Sequence, residues 1–144
     1  MSEDERRTLA AWMRLAEMEL FDSMHVADRR HGLDVVAALR RSGVTDRDVL
    51  AAGLLHDCAK GDTGALPRVA WSLGEAFGPG FLRVARRVPG WDGALDRLRD
   101  HAEASATAVE AAGLPSFAVD LVRYQATPRD ARYGALFHAA DEAS

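Results

Sequence analysis

A chain of 144 residues with 48% hydrophobic and 28% charged residues has room for one buried core and lacks the composition of a disordered polymer. Its net charge of −4 argues against a nucleic-acid polymer as the main partner, yet a compact anion such as a nucleotide stays within reach of a few local cations. A single cysteine, Cys58, excludes an internal disulfide framework and suits a reducing compartment, and no apolar run is long enough to cross a bilayer.

The first residues, Met1 to Arg7, are charged and lead into no apolar signal core, so a cytoplasmic protein without membrane contact is expected. Leu9, Trp12, Met13, Leu15, Met18 and Leu20 then predict one packed helix from Glu5 to Phe21. His31 to Arg41 places Val35, Val36 and Leu39 on one side of a second helix that His31 opens and Gly43 stops. Thr45-Asp46-Arg47-Asp48 reads as a cap with a carboxylate in the first turn, opening a helix that runs to about His56. After Asp57 a loop is expected to Gly64. Helices from Leu66 to Phe77 and Phe81 to Val88 follow, parted by Gly78-Pro79-Gly80. Asp92 to Arg99 and His101 to Ala112 are expected as two more helices, the second closed by Gly113. Pro115 starts the next in its first turn, reaching about Gln125, and Arg129 to Glu142 forms the last. No segment shows the alternation of a half-buried strand. The expected fold is all-α, a compact bundle of roughly six to nine helices forming one domain over residues 1–144.

The chemistry-bearing residues gather around His56-Asp57, where the apolar helix meets a polar loop. Neighbouring residues on a helix point about 100° apart, so the two side chains share one ion only at the end of the helix, where the chain turns away. A hairpin between Arg41 and Asp46 folds the two preceding helices antiparallel and brings His31 to the same end as His56. Asp141 lies on a mainly apolar final helix, where a buried carboxylate needs a partner. Imidazole and carboxylate together suit Mn, Fe, Ni, Co or Zn, with Mg also admitted. The basic residues comprise seventeen arginines and one lysine, a ratio that G+C-rich coding explains, but the lysine is Lys60, three residues after Asp57.

The order His, His-Asp, Asp resembles the HD-domain superfamily of metal-dependent phosphohydrolases. The match is carried by Arg30-His31-Gly32-Leu33-Asp34-Val35-Val36, by Ala52-Gly53-Leu54-Leu55-His56-Asp57-Cys58-Ala59-Lys60, and by Ala140-Asp141. Asp100-His101-Ala102-Glu103-Ala104-Ser105-Ala106 resembles the family's His-Pro-Glu-x-Gly-Ala segment, and Leu121-Val122-Arg123-Tyr124-Gln125 its Leu-Ile-Arg-x-His segment. The likeness covers about residues 24–143. It implies that His31, His56, Asp57 and Asp141 ligate one divalent metal, that Asp57 also orients the attacking water, and that Lys60 contacts a phosphate oxygen. His101 and Gln125 become substrate-facing candidates, and the substrate a nucleotide or another small phosphate ester. The family's usual Gly before the lysine is Ala59 here. Gln125 stands where a two-metal relative carries histidine, so a single ion is expected and cyclic-dinucleotide hydrolysis is not. Lys60-Gly61-Asp62 replaces the Glu-Asp pair of the stringent-response hydrolases, which leaves their substrate unsupported.

Blander roles stay open for several residues. His101 can pack at a helix start, and Glu103 can pair with a nearby arginine. His138 reads as a packed aromatic or an outer partner of Asp141, His25 as a surface residue, and Cys58 as an inert half-buried thiol. Arg83, Arg86 and Arg87 read as a solvated face, and Trp12, Trp71 and Trp91 as core or interface anchors. The alternative to an enzyme is a catalytically inactive HD-like module that binds a metal, a nucleotide or a protein partner. The sequence also leaves a homodimer open.

Overall fold

A computed structural model describes residues 2–60 and 94–144, with residues 94–100 described as backbone alone. These residues form seven α-helices and no strand: α1 (Glu3–Ala10), α2 (Leu15–Ser23), α3 (Val26–Arg41), α4 (Arg47–Leu55), α5 (Ala94–Ala111), α6 (Ser116–Arg123) and α7 (Gly134–Glu142). The all-α fold is as the sequence predicts. The helices expected over 66–77 and 81–88, with Trp71, Trp91 and the arginines 83, 86 and 87, lie outside the described residues.

The single helix expected over residues 5–21 is two helices. Ser2 and Glu5 close a capping box on α1, and at the start of α2 the Arg14 backbone N–H donates to the Glu17 carboxylate at 2.8 Å. The break between them follows from tertiary bonding. Glu17 is fully buried and receives Arg47 from α4, while the Trp12 carbonyl accepts the Arg47 Nε–H at 3.1 Å. Continuing the helix through residues 11–14 would forfeit those bonds, and a buried carboxylate without them is expensive.

Helix α3 begins five residues before His31, at Val26, with the His25 ring accepting the Ala27 N–H at 3.3 Å as its cap. His31 therefore lies inside the helix rather than opening it. Gly43, at φ +85°, stops α3 as the sequence indicates, and Asp46 caps α4 by accepting the Asp48 and Val49 amides. The helices expected at 92–99 and 101–112 are one continuous helix, α5. No glycine or proline interrupts residues 94–111, and Ala102, Ala106 and Val109 are buried through its second half. Pro115 stands at the cap of α6 rather than in its first turn. The final helix starts at Gly134 rather than Arg129, after a turn in which Asp130 accepts the Arg132 and Tyr133 amides.

The core is built on α4, whose residues from Val49 to Leu55 are all buried. A helix apolar all round belongs at the centre of a bundle. Val35 and Leu39 of α3, Phe21 of α2, Val109 of α5, Val119 of α6 and Phe137 of α7 close around it. Gly32 makes the closest crossing. A Cβ there would lie 3.1 Å from the Leu54 carbonyl carbon and closer still to its oxygen, so only glycine permits α3 to lie so near α4. That approach sets His31 against His56.

Candidate metal centre

His31 from the second turn of α3, His56 from the cap position of α4 and Asp141 from the last turn of α7 converge on one point. Each offers one ligand atom within 4.8 Å of the others. Both imidazole Nε2 atoms stand 3.0 Å from the same oxygen, Asp141 Oδ1. The two rings lie 5.1 Å apart between centroids, and the edge of Phe137 closes the buried side of His56.

The tautomer of His56 follows from its other nitrogen. Nδ1 lies 2.9 Å from the Gly53 carbonyl oxygen, which can only accept, so the proton of a neutral ring is on Nδ1. Nε2 then presents a lone pair directly to a carboxylate oxygen, an arrangement that only a proton or a cation between them makes favourable. Burial pushes the His56 pKa down, but the bond to Asp141 and the charges of Asp57 and Asp141 outweigh it and hold the pKa above the ordinary histidine value. Hydrogen bonding to His56 and His31 holds Asp141 below the usual carboxylate range despite its burial. Two imidazoles, a carboxylate and a carbonyl that orients one ring are the donor chemistry of a transition-metal site. The group fits a divalent ion.

Asp57 stands at the edge of this group. Its Oδ2 is 3.7 Å from His56 Nε2 and accepts from Lys60 Nζ at 2.8 Å, while its Oδ1 accepts the His101 Nε2–H at 2.7 Å. Burial raises the Asp57 carboxyl, but His101, His56 and Lys60 together hold it well below the usual carboxylate range. The bond to Asp57 likewise raises Lys60, with Asp28 and Asp141 adding negative charge nearby. The Lys60 side chain is half exposed, so its ammonium reaches solvent while tethered to the site.

The remaining candidates separate. Within α5, His101 faces Asp57 rather than a helix start, and its Nδ1 is buried without a partner among the described residues. Gln125 does not join the His31, His56 and Asp141 group. Its backbone carbonyl accepts from His138 Nδ1 at 3.0 Å, its side-chain oxygen is buried without a partner among the described residues, and the residue lines a cleft with Leu121 and Phe137. Glu103 pairs with Arg123, the bland reading. His138 also approaches Glu142 at 3.5 Å, and His25 is an exposed cap. Cys58 is buried, and burial pushes its thiol up to about 12, which leaves it inert. Sequence reasoning gave no role to the Gly53 carbonyl or to Ser105, whose hydroxyl accepts the Ala59 amide at 3.1 Å. The signal for Ser105 was available: it is a lone hydroxyl, one turn after His101, on an otherwise alanine-rich face.

Comparisons with protein-family models, with curated proteins and with solved structures yield no match to this chain. None of the helices described is long and apolar enough to cross a membrane.

Proposed function

We propose that this chain is a metal-dependent phosphohydrolase of the HD type, acting on a nucleotide or another small phosphate ester through one divalent metal. The observation that carries the reading is the meeting of His31 Nε2 and His56 Nε2 on one oxygen of Asp141, with His56 turned by the Gly53 carbonyl to present its lone pair. His31, His56 and Asp141 hold the ion, and Asp57 completes the set. The chemistry a divalent cation supplies there is activation of water and polarisation of a phosphoryl oxygen.

The chain's own residues do the rest. Asp57, kept ionised by His101 and Lys60, accepts a hydrogen bond from the attacking water and so aims it. Lys60 is a compact ammonium on a flexible stem, able to swing from Asp57 to a phosphate oxygen and offset charge that builds on the transferring group. His101 holds Asp57 against rotation.

The test is a metal assay followed by a turnover panel. Protein purified without added metal should carry about one equivalent of a transition ion by elemental analysis and hydrolyse at least one member of a panel of nucleotides and phosphate monoesters. Asp141→Asn should lower metal affinity by about 100-fold or more, beyond the 10–100-fold that outer partners of a metal site carry, and abolish turnover. Asp57→Ala should abolish turnover with the helical spectrum intact. Equal turnover by wild type and both variants, or none by the metal-loaded wild type, would refute the enzyme. Ligand-induced thermal stabilisation without turnover would establish the binding module instead.

A further inference from the structure

Two side chains on α5 grip the turn that follows α4. His101 donates its Nε2–H to Asp57 Oδ1 at 2.7 Å, and four residues on Ser105 Oγ accepts the Ala59 N–H at 3.1 Å. Positions four apart stand one above the other on a helix, so both contacts come from a single face. Cys58 Sγ–H adds a weak bond, 3.8 Å to the Ser105 carbonyl. Two neighbouring amides are met locally: Cys58 N–H by Leu55 O and Lys60 N–H by Asp57 O, each at 2.9 Å. Ala59 N–H instead reaches outside its own segment. Ser105 is fully buried and Ala59 is 6% exposed, so neither group can exchange its partner for water.

The anchored amide sits between the two residues whose placement matters. Asp57 lies two residues before it and Lys60 immediately after it, and the turn has no other side-chain tether to its backbone among the described residues. We propose that Ser105 is a positioning residue: its hydroxyl fixes the turn and thereby sets the Asp57 carboxylate and the Lys60 ammonium relative to His31, His56 and Asp141. The consequence for the metal rests on the function proposed above, while the anchoring of the turn rests on the hydrogen bond alone.

Cobalt(II) alone is the probe, titrated into the metal-free full chain while its visible absorption is followed, and backbone amide exchange at Ala59 is measured in parallel. Ser105→Ala should weaken cobalt binding by about tenfold, the scale on which outer partners tune a metal site, alter the absorption band, and accelerate Ala59 exchange by at least about tenfold. Ser105→Thr keeps the hydroxyl and should restore all three. Should Ser105→Ala fail to fold, Ser105→Cys retains the volume with a weak acceptor and is expected to show the same losses. If the folded variant lacking the hydroxyl keeps wild-type cobalt affinity and absorption, the positioning role is overturned. A wild-type chain that takes up no cobalt defeats the proposed hydrolase rather than the anchor, which the Ala59 exchange rate then decides.

Discussion

Gly32→Ala places one methyl group at the crossing of α3 and α4. Judged by the helix alone the change is favourable: alanine exceeds glycine by about 1 kcal/mol in a helix interior, and it also restricts the unfolded chain. The crossing reverses the sign. The new Cβ would meet the Leu54 carbonyl oxygen, its carbonyl carbon at 3.1 Å and its Cα at 3.4 Å, all of them backbone atoms that no rotamer can move. Restoring ordinary contact distances requires the helices to part by about 1 Å, which loosens Val35 and Leu39 against α4 as well. Overpacking of this kind costs about 1–3 kcal/mol, and a rigid obstacle belongs at the upper end, so a net loss of about 2 kcal/mol remains after the propensity gain. The same displacement separates His31 from His56 by far more than the ~0.2 Å that a metal site tolerates, so cobalt affinity should fall at least tenfold. Urea unfolding of the metal-free protein measures the first effect, and a cobalt titration the second. Gly53→Ala serves as the comparison, because its Cβ would meet the movable tip of Leu39 at 2.7 Å, and its loss should be smaller. A Gly32→Ala protein as stable as wild type, or more so, with cobalt affinity unchanged, would show that close helix approach does not build the site.

Glu17→Ala removes the buried carboxylate that Arg47 and the Arg14 amide share, leaving Arg47 with Asp48 and the Trp12 carbonyl. Breaking one side of a buried ion pair costs about 3–5 kcal/mol, and the partners Arg47 retains reduce this to about 2–3, readable in urea unfolding; a loss below about 1 would contradict the network's role. The pH dependence of the metal-free protein has two sides. Asp57 and Asp141 are held low in the folded state, so their contribution is present above the unfolded carboxylate pKa of ~3.9 and is lost as pH falls through their folded values. His56 is held high, so its contribution is complete below the unfolded histidine value of ~6.5 and is lost as pH rises through its folded pKa. The melting temperature in chelator should therefore peak between about pH 4 and 6.5, and a saturating divalent ion should remove the alkaline decline by taking the proton's place. A metal-free melting temperature that climbs steadily from about pH 6 to 8 would contradict the assignment.

Much of this protein is written locally. The apolar run from Val49 to Leu55, the Asp46 cap and Gly43 at its positive φ declare a central helix and the hairpin before it, because burial, capping and left-handed turns depend on nearby residue types. The order His31, His56-Asp57, Asp141 and the antiparallel hairpin likewise bring two imidazoles to one end of the bundle. Local pattern failed where a distant partner chose the conformation. The bonds that Arg47 makes to Glu17 and the Trp12 carbonyl split the predicted first helix, and the helices expected at 92–99 and 101–112 run together as α5, whose Ala102, Ala106 and Val109 are buried. Only the tertiary structure decided that His101 and Lys60 occupy the two oxygens of Asp57, that the Gly53 carbonyl sets the tautomer of His56, and that Ser105 holds the turn between them. Those are questions of distance and direction across the bundle, fixed once α3 lies against α4 at Gly32 and α5 packs beside the turn. Residue types in sequence carry the inventory of donors and acceptors; which lone pair faces which proton is settled by the packing.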